Sequence, residues 1–185
     1  ACAVIDSYGE NGSMAFYRYR KHKLERLYEA KGLSKASLGL YFMKITELCG
    51  FDWLKGEEWK VMGLASYGNI NQTLYDLLNS IIVINGFDCK HPTEKLFENI
   101  AQLDKFKQPP GSPLQGIADI AYTGQIFFAD VVTQLLNHLY KVTQCENLTL
   151  AGGCALNSSF NGKISQRTNF KLVYIPSAPA DDGCA

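Results

Sequence analysis

Two glycines, Gly152 and Gly153, close the apolar run Leu148-Thr149-Leu150-Ala151, and Asn157 follows in what reads as the first turn of a helix. A glycine pair at a strand end lets backbone approach a ligand with no Cβ in the way. A helix opening there aims free N–H groups and its positive dipole end at an anion. Asn157 adds a donor and an acceptor. A second apolar run, Leu172 to Ile175, ends at Pro176 and leads to Asp181-Asp182-Gly183. Carboxylates beyond a strand's C-terminal end lie where open α/β sheets bind ligands. They are hard oxygen donors, suited to Mg²⁺, Mn²⁺ or iron. Two further groups complete the set. Asp6 enters the polar turn Asp6-Ser7-Tyr8-Gly9-Glu10-Asn11-Gly12, which could approach a phosphate. Lys60 lies in Glu58-Trp59-Lys60-Val61-Met62-Gly63 and could reach one.

Each of these has a plainer alternative. The glycine pair could serve only tight strand-to-helix packing. One aspartate of the pair could cap a helix, which leaves the other unexplained. The Asp6 turn is read first as a simple solvated turn, and a lone lysine is usually surface. Gly63 inside a helical pattern costs about 1 kcal/mol against alanine, so it suggests close approach by another backbone or a ligand.

The elements that must position these groups follow from periodicity. Ala3-Val4-Ile5, Ser13 to Tyr19 and Leu24 to Ala30 read as a meander of three strands. Ser37 to Leu48 has helical spacing, with Ser34 or Ser37 as cap. Glu57 to Ala65 is a short helix, with Gly68 as its C-cap. Leu74 to Ile84 and Thr93 to Leu103 are expected helices, and residues 69–112 read as a helical insertion. Leu114 to Val142 is the longest amphipathic helix, followed by strand 147–151, helix 154–167 and strand 171–176. The expected fold class is therefore α/β: a three-stranded meander plus a βαβ unit, with helices packed on a mixed sheet.

Composition excludes more than it selects. The chain has 185 residues, 46% of them apolar, enough for one substantial core. Lys plus Arg and Asp plus Glu are both 18, and no basic stripe favours nucleic acid. The longest apolar runs are too short to span a bilayer. Six cysteines and three scattered histidines, His22, His91 and His138, show no C-x-x-C or other zinc spacing. Reduced cysteines in a cytoplasmic protein are expected. The chain begins without Met and stops at Gly183-Cys184-Ala185, where a helix should be starting. That reads as a piece of something longer.

Taken together, these stretches resemble the NodU/CmcH-type carbamoyltransferases. Ser37-Leu38-Gly39-Leu40-Tyr41 and Thr46-Glu47-Leu48-Cys49-Gly50-Phe51 are similar to that family's S-L-G-x-x-Y…T-x-x-x-G-F segment. Glu58 to Gly68 resembles E-x-K-V-M-G-L-A-P-Y-G. Ala118-Asp119-Ile120-Ala121 with Gln125 fits the long helix, and Leu150 to Asn157, Asn161 and Pro176…Asp181-Asp182-Gly183 match the closing signature. The hairpin turn departs from the more frequent D-G-x-G-E, and Ser66 replaces the usual proline.

The resemblance implies an actin-like ATPase (ribonuclease H-like) half-domain: the second half of a Kae1-like domain, spanning 1–185. It implies a carbamoyl group moved from carbamoyl phosphate, through carbamoyl-adenylate made from ATP by a separate YrdC-like domain, to a hydroxyl of a sugar or natural product. Asp181 takes the place of the family's metal-binding aspartate, the metal being iron, Mg²⁺ or Mn²⁺. The family's histidine ligands belong to an upstream H-x-x-x-H segment that this sequence does not contain. Gly152, Gly153, Asn157, Asp6 and Lys60 are the expected nucleotide-binding residues, one side of a site whose other side lies outside the chain. The chain alone is then expected to be inactive. A sugar or acid kinase of the same superfamily, and a non-catalytic nucleotide-binding module, remain the alternatives.

Overall fold

The computed structural model describes residues 1–9, 12–31, 35–92, 96–109 and 111–184. Glu10 and Asn11 of the hairpin turn, the alternative cap Ser34, Thr93 and the Asp182 side chain lie outside what is described. The chain divides into two compact units. One comprises Ala1–Gly39, Ile84–Lys90 and Val131–Ala185, and the other Leu40–Val83 and His91–Asp130.

The first unit is built on a five-stranded mixed sheet. Strands β1 (Cys2–Ile5), β2 (Met14–Arg20) and β3 (Lys23–Glu29) form the expected antiparallel meander, with a register shift between Phe16 and Tyr17. Strands β6 (Asn147–Ala151) and β7 (Leu172–Tyr174) add to the other side of β1, both parallel to it, giving the order β3-β2-β1-β6-β7. Alternation sets the buried face: Ala3 and Ile5 of β1 and Leu148 and Leu150 of β6 are buried, while Leu172 and Tyr174 of β7 are exposed. Each fully buried Ile or Phe, such as Ile5 or Phe16, contributes about 1.5–3 kcal/mol.

A two-stranded hairpin, β4 (Val83–Asn85) and β5 (Asp88–Lys90), stands where the sequence pattern extends a helix to Ile84. The preceding helix α3 (Gln72–Ser80) stops earlier, and Asn85-Gly86 turns the chain, with Gly86 at φ +63°. Phe87 at the hairpin tip stacks on Phe16 at 4.7 Å between ring centroids. Lys35 bonds Asp88 at 2.5 Å, and Tyr28 donates to the same carboxylate at 3.1 Å. This packing wins over the helical period, and Ile84–Lys90 groups with the sheet rather than with the other helices.

The second unit is helical. It holds α1 (Leu38–Leu48) from Leu40 on, α2 (Glu58–Leu64), α3, α4 (Leu96–Leu103), and the part of α5 (Leu114–Thr143) before Val131. Its core includes Ile45, Leu48, Val61, Leu74, Leu78, Ile81, Leu103 and Phe127, all buried. Phe42 meets Phe128 edge-to-face at 5.4 Å. Helix α2 passes into a 3₁₀ turn, Ala65–Tyr67, capped by Gly68, whose N–H donates to Ala65 O. Gly68 is extended (φ −96°), not left-handed as expected of a C-cap. Asp119 of α5 accepts the Asn69 N–H at 2.7 Å, and Thr123 Oγ1 accepts that of Asn71 at 2.9 Å, strapping the following loop to the long helix. No helix among the described residues is long and apolar enough to cross a membrane.

Candidate functional site

The parallel strands β1, β6 and β7 send their C-terminal ends to one edge of the sheet. From β1 the chain goes one way, through β2 and β3; β6 and β7 lie on the other side. The edge between β1 and β6 is thus where the strand order reverses, the position at which open α/β sheets place their ligands. Asp6 follows β1 there, Gly152 and Gly153 follow β6, and the segment through Pro179 to Asp181 follows β7.

Backbone and carboxylate stitch these three loops together. Gly153 N–H donates to Asp6 Oδ2 at 2.9 Å, and Gly152 N–H donates to Pro179 O at 2.7 Å. Asp6 Oδ1 accepts the Ser7 N–H at 2.6 Å. Gly152 has φ +91° and ψ 165°, and a Cβ there would stand 2.3 Å from Ile5 O. The glycine therefore permits both the turn and the close approach of β6 to β1. The Asp6-Ser7 turn is held from outside as well. Ser37 Oγ donates to Ser7 O, and a Cβ on Gly39 would lie 2.4 Å from Ser7 Cα. The Ser37-Leu38-Gly39 motif is a clamp on this turn, a role its helical spacing did not suggest.

The amides read from sequence as an anion cradle are engaged within the protein. Besides Gly152 and Gly153, Ala155 N–H donates to Gly152 O at 2.9 Å. The expected helix 154–167 is broken into a 3₁₀ turn, Gly153–Leu156, and two short helices, α6 (Ser158–Asn161) and α7 (Ile164–Arg167). The break has a local cause: Asn157 is buried, and its side chain accepts the Phe160 N–H at 3.1 Å, capping α6. Asn161 Nδ2 donates to Ala155 O at 2.7 Å, while its Oδ1 is buried without a partner among the described residues. Burial, and then the nearby Asp6 carboxylate, pushes the Cys154 thiol up, so it stands as a neutral thiol rather than a thiolate nucleophile.

Lys60 belongs to the helical unit. Its ammonium bonds Glu57 Oε1 at 2.6 Å and lies 5.4 Å from the Phe51 ring centroid. Asp181 is exposed in the 3₁₀ turn Asp181–Cys184. The described residues contain no group of three His, Cys, Asp or Glu side chains able to hold a metal ion. Gly63 is exposed, with nothing within 4 Å of where a Cβ would stand, which removes close backbone packing as its reason. Gly63→Ala is expected to stabilise the chain by about 0.5–1 kcal/mol, seen as a higher thermal midpoint. A ligand against Gly63 would show instead as weakened nucleotide binding in the same variant.

Residues 9–185 match the family model described as carbamoyltransferase N-terminus. The chain belongs to this carbamoyltransferase family. The uncharacterized protein MJ1058 of Methanocaldococcus jannaschii is 33% identical over 162 residues, 85% of this chain and 26% of its own length. The uncharacterized protein sll1178 of Synechocystis sp. is 37% identical over 160 residues, 80% of this chain and 26% of its own. The nodulation protein NolNO of Sinorhizobium fredii is 31% identical over 156 residues, 80% of this chain and 22% of its own. The chain thus spans about a quarter of the length of these curated relatives. For this carbamoyltransferase family member, the match covers both the sheet-edge loops from Gly9 onward and the helical unit.

Proposed function

We propose that this chain is part of an enzyme that transfers a carbamoyl group from carbamoyl phosphate, through carbamoyl-adenylate, to a hydroxyl of a small molecule. The observation that carries the reading is the family match over residues 9–185. The geometry that supports a ligand at the sheet edge is the change of strand order between β1 and β6, where Asp6 and Gly153 meet. We read that sheet as the actin-like ATPase half-domain expected from the sequence, with the adenylate lying over the loops after β1 and β6.

In the transfer step the acceptor oxygen attacks the carbamoyl carbonyl carbon and a new C–O bond forms. The bond from that carbon to the adenylate oxygen breaks, AMP leaves, and the hydroxyl proton passes to solvent. This chain's own residues bind and orient. Gly152 and Gly153 bring the loop close to β1, Asn157 holds its exit by capping α6, and Asp6 presents the carboxylate at its centre. Asp181 is the residue assigned to a divalent metal, which would polarise the carbonyl when bound; its other ligands would come from outside the described residues. The YrdC-like domain that makes the adenylate would also come from elsewhere in the longer protein.

The test is mass spectrometry of a hydroxyl-bearing acceptor after incubation with the full-length protein, ATP and carbamoyl phosphate. The expected product is the carbamate ester, formed with AMP. Phosphorylated acceptor without any need for carbamoyl phosphate would replace this reading with a kinase. The 185-residue chain alone is expected to give no product, and carbamate formation by it alone would contradict the assignment of adenylation to another domain.

A further inference from the structure

The loop after β1 is gripped on both arms by one short stretch of chain, residues 36–39, within the sheet unit. On the leaving arm, Ser37 Oγ donates to Ser7 O, and Asp6 O lies 3.5 Å from the same hydroxyl. On the returning arm, Ser13 Oγ donates to Ala36 O at 3.3 Å. Asp6 N–H donates to Ser13 O at 2.8 Å, which ties the two arms to each other. Ala36 N–H donates to Cys89 O of β5 at 3.0 Å, so the gripping stretch is itself anchored. Ser13 and Ser37 are buried, and their bonds form out of reach of solvent. Gly39 completes the seat. It lies in the first turn of α1, where alanine is the better helix former. A Cβ there would stand 2.4 Å from Ser7 Cα and 2.6 Å from Ser7 N. That nitrogen donates to Asp6 Oδ1 at 2.6 Å, and Ser7 Oγ lies 3.3 Å from the same oxygen. The glycine therefore leaves a socket for Ser7, and Ser7 holds one oxygen of Asp6 while Gly153 N–H holds the other.

We propose that Ser37 and Gly39 are positioning residues for Asp6, fixing the direction in which its carboxylate meets a cation-bound phosphate. This rests on the proposed function, which puts the nucleotide over the loops after β1 and β6. The cause is orientation. A carboxylate whose two oxygens each accept a backbone N–H has lone pairs left only in the directions those bonds leave open. Turning the Ser7 backbone would take its N–H away from Oδ1 and let the carboxylate swing, and the ordering would then have to be supplied on binding. Two contacts oppose that turn. The Ser37 hydroxyl faces the carbonyls of both peptides that meet at Ser7, and Gly39 lets α1 lie directly against the Ser7 Cα. Neither residue touches the ligand in this arrangement; both act through Asp6.

The test is hydrogen–deuterium exchange of the full-length protein, followed in the peptides that contain Asp6 and Gly153 while Mg²⁺–ATP is titrated, so that binding is read at this site alone. Ser37→Ala removes one hydrogen bond to the turn and is expected to raise the apparent Kd about fivefold. Gly39→Ala is expected to raise it about tenfold, even though alanine favours the helix. The deciding readout is the background. In Asp6→Asn protein, Ser37→Ala is expected to change Kd less than about twofold, because a residue that acts through Asp6 then has nothing left to position. Circular dichroism checks folding, and if Ser37→Ala does not fold, Ser37→Cys, of similar size but with only a weak donor, replaces it in both backgrounds. A Kd unmoved by Ser37→Ala or by Gly39→Ala, or an equal effect of Ser37→Ala with and without the Asp6 carboxylate, would overturn the proposal and leave the nucleotide site standing. Absence of Mg²⁺–ATP protection in either peptide of the parent protein would remove the nucleotide site itself, and this inference with it.

Discussion

Gly152→Ala is expected to lower the stability of the chain by ~3 kcal/mol or more. Two penalties act at one atom. At φ +91° and ψ 165° the residue sits in a region of backbone space essentially reserved for glycine, and occupying it with a Cβ costs about 1–3 kcal/mol. That Cβ would also lie 2.3 Å from Ile5 O and 2.7 Å from Ile5 C. These are backbone atoms of β1, paired in register with Met14 of β2, so they cannot swing aside as a side-chain tip would. Relief requires β6 to move away from β1, which strains the Gly153–Asp6 and Gly152–Pro179 hydrogen bonds together. Urea denaturation of the variant measures the loss. Gly162→Ala is the control, because nothing lies within 4 Å of its Cβ position and its φ is −65°. A Gly152→Ala protein within about 1 kcal/mol of the parent would show that the loop after β6 is not constrained as described.

The same loop shows what periodicity can and cannot tell. Strand β6 lies at 147–151 as expected, and the long amphipathic pattern gives α5 to within a residue at its end, because burial of one face acts locally along the chain. The break of the expected helix 154–167 is carried by Asn157-Ser158 and Asn161-Gly162, residues that cap and stop helices. The β4–β5 hairpin carried its own signal in Asn85-Gly86 after the β-branched pair Val83-Ile84. The Asp6–Gly153 bond had no local signal at all. Its partners are 147 residues apart, and only the parallel pairing of β1 with β6 brings them together. Hence the glycine pair was legible as a place where backbone comes close, while what it comes close to was not. Gly152 comes close to the Ile5 backbone, and Gly153 to a carboxylate of the protein itself, that of Asp6.

That carboxylate makes Asp6 the residue whose substitution separates the functional readings. Asp6→Ala leaves the Ser7 and Gly153 N–H groups without their acceptor. Hydrogen bonds to a charged group contribute about 1.5–3 kcal/mol, so a loss of ~2–3 kcal/mol in denaturant stability is expected. Asp6→Asn keeps one oxygen and replaces the other with an NH₂ that cannot accept, so one amide still loses its partner, at about half that effect. Nucleotide affinity carries the functional information. A phosphate placed directly on the Gly153 amide would be repelled by the carboxylate already there; at an effective dielectric of 20, two unit charges 4 Å apart oppose each other by about 4 kcal/mol. Neutralising Asp6 would then raise affinity for ATP. If instead the phosphates arrive with a divalent cation, the carboxylate attracts the pair, and Asp6→Asn lowers affinity. The expected result is the second: ATP affinity with Mg²⁺ present falls at least ~10-fold in Asp6→Asn, and the difference shrinks when the cation is chelated. Tighter ATP binding by Asp6→Asn would place the phosphate on the glycine amides and remove Asp6 from the proposed nucleotide site. Unchanged affinity would leave Asp6 as a purely structural tie between β1 and β6.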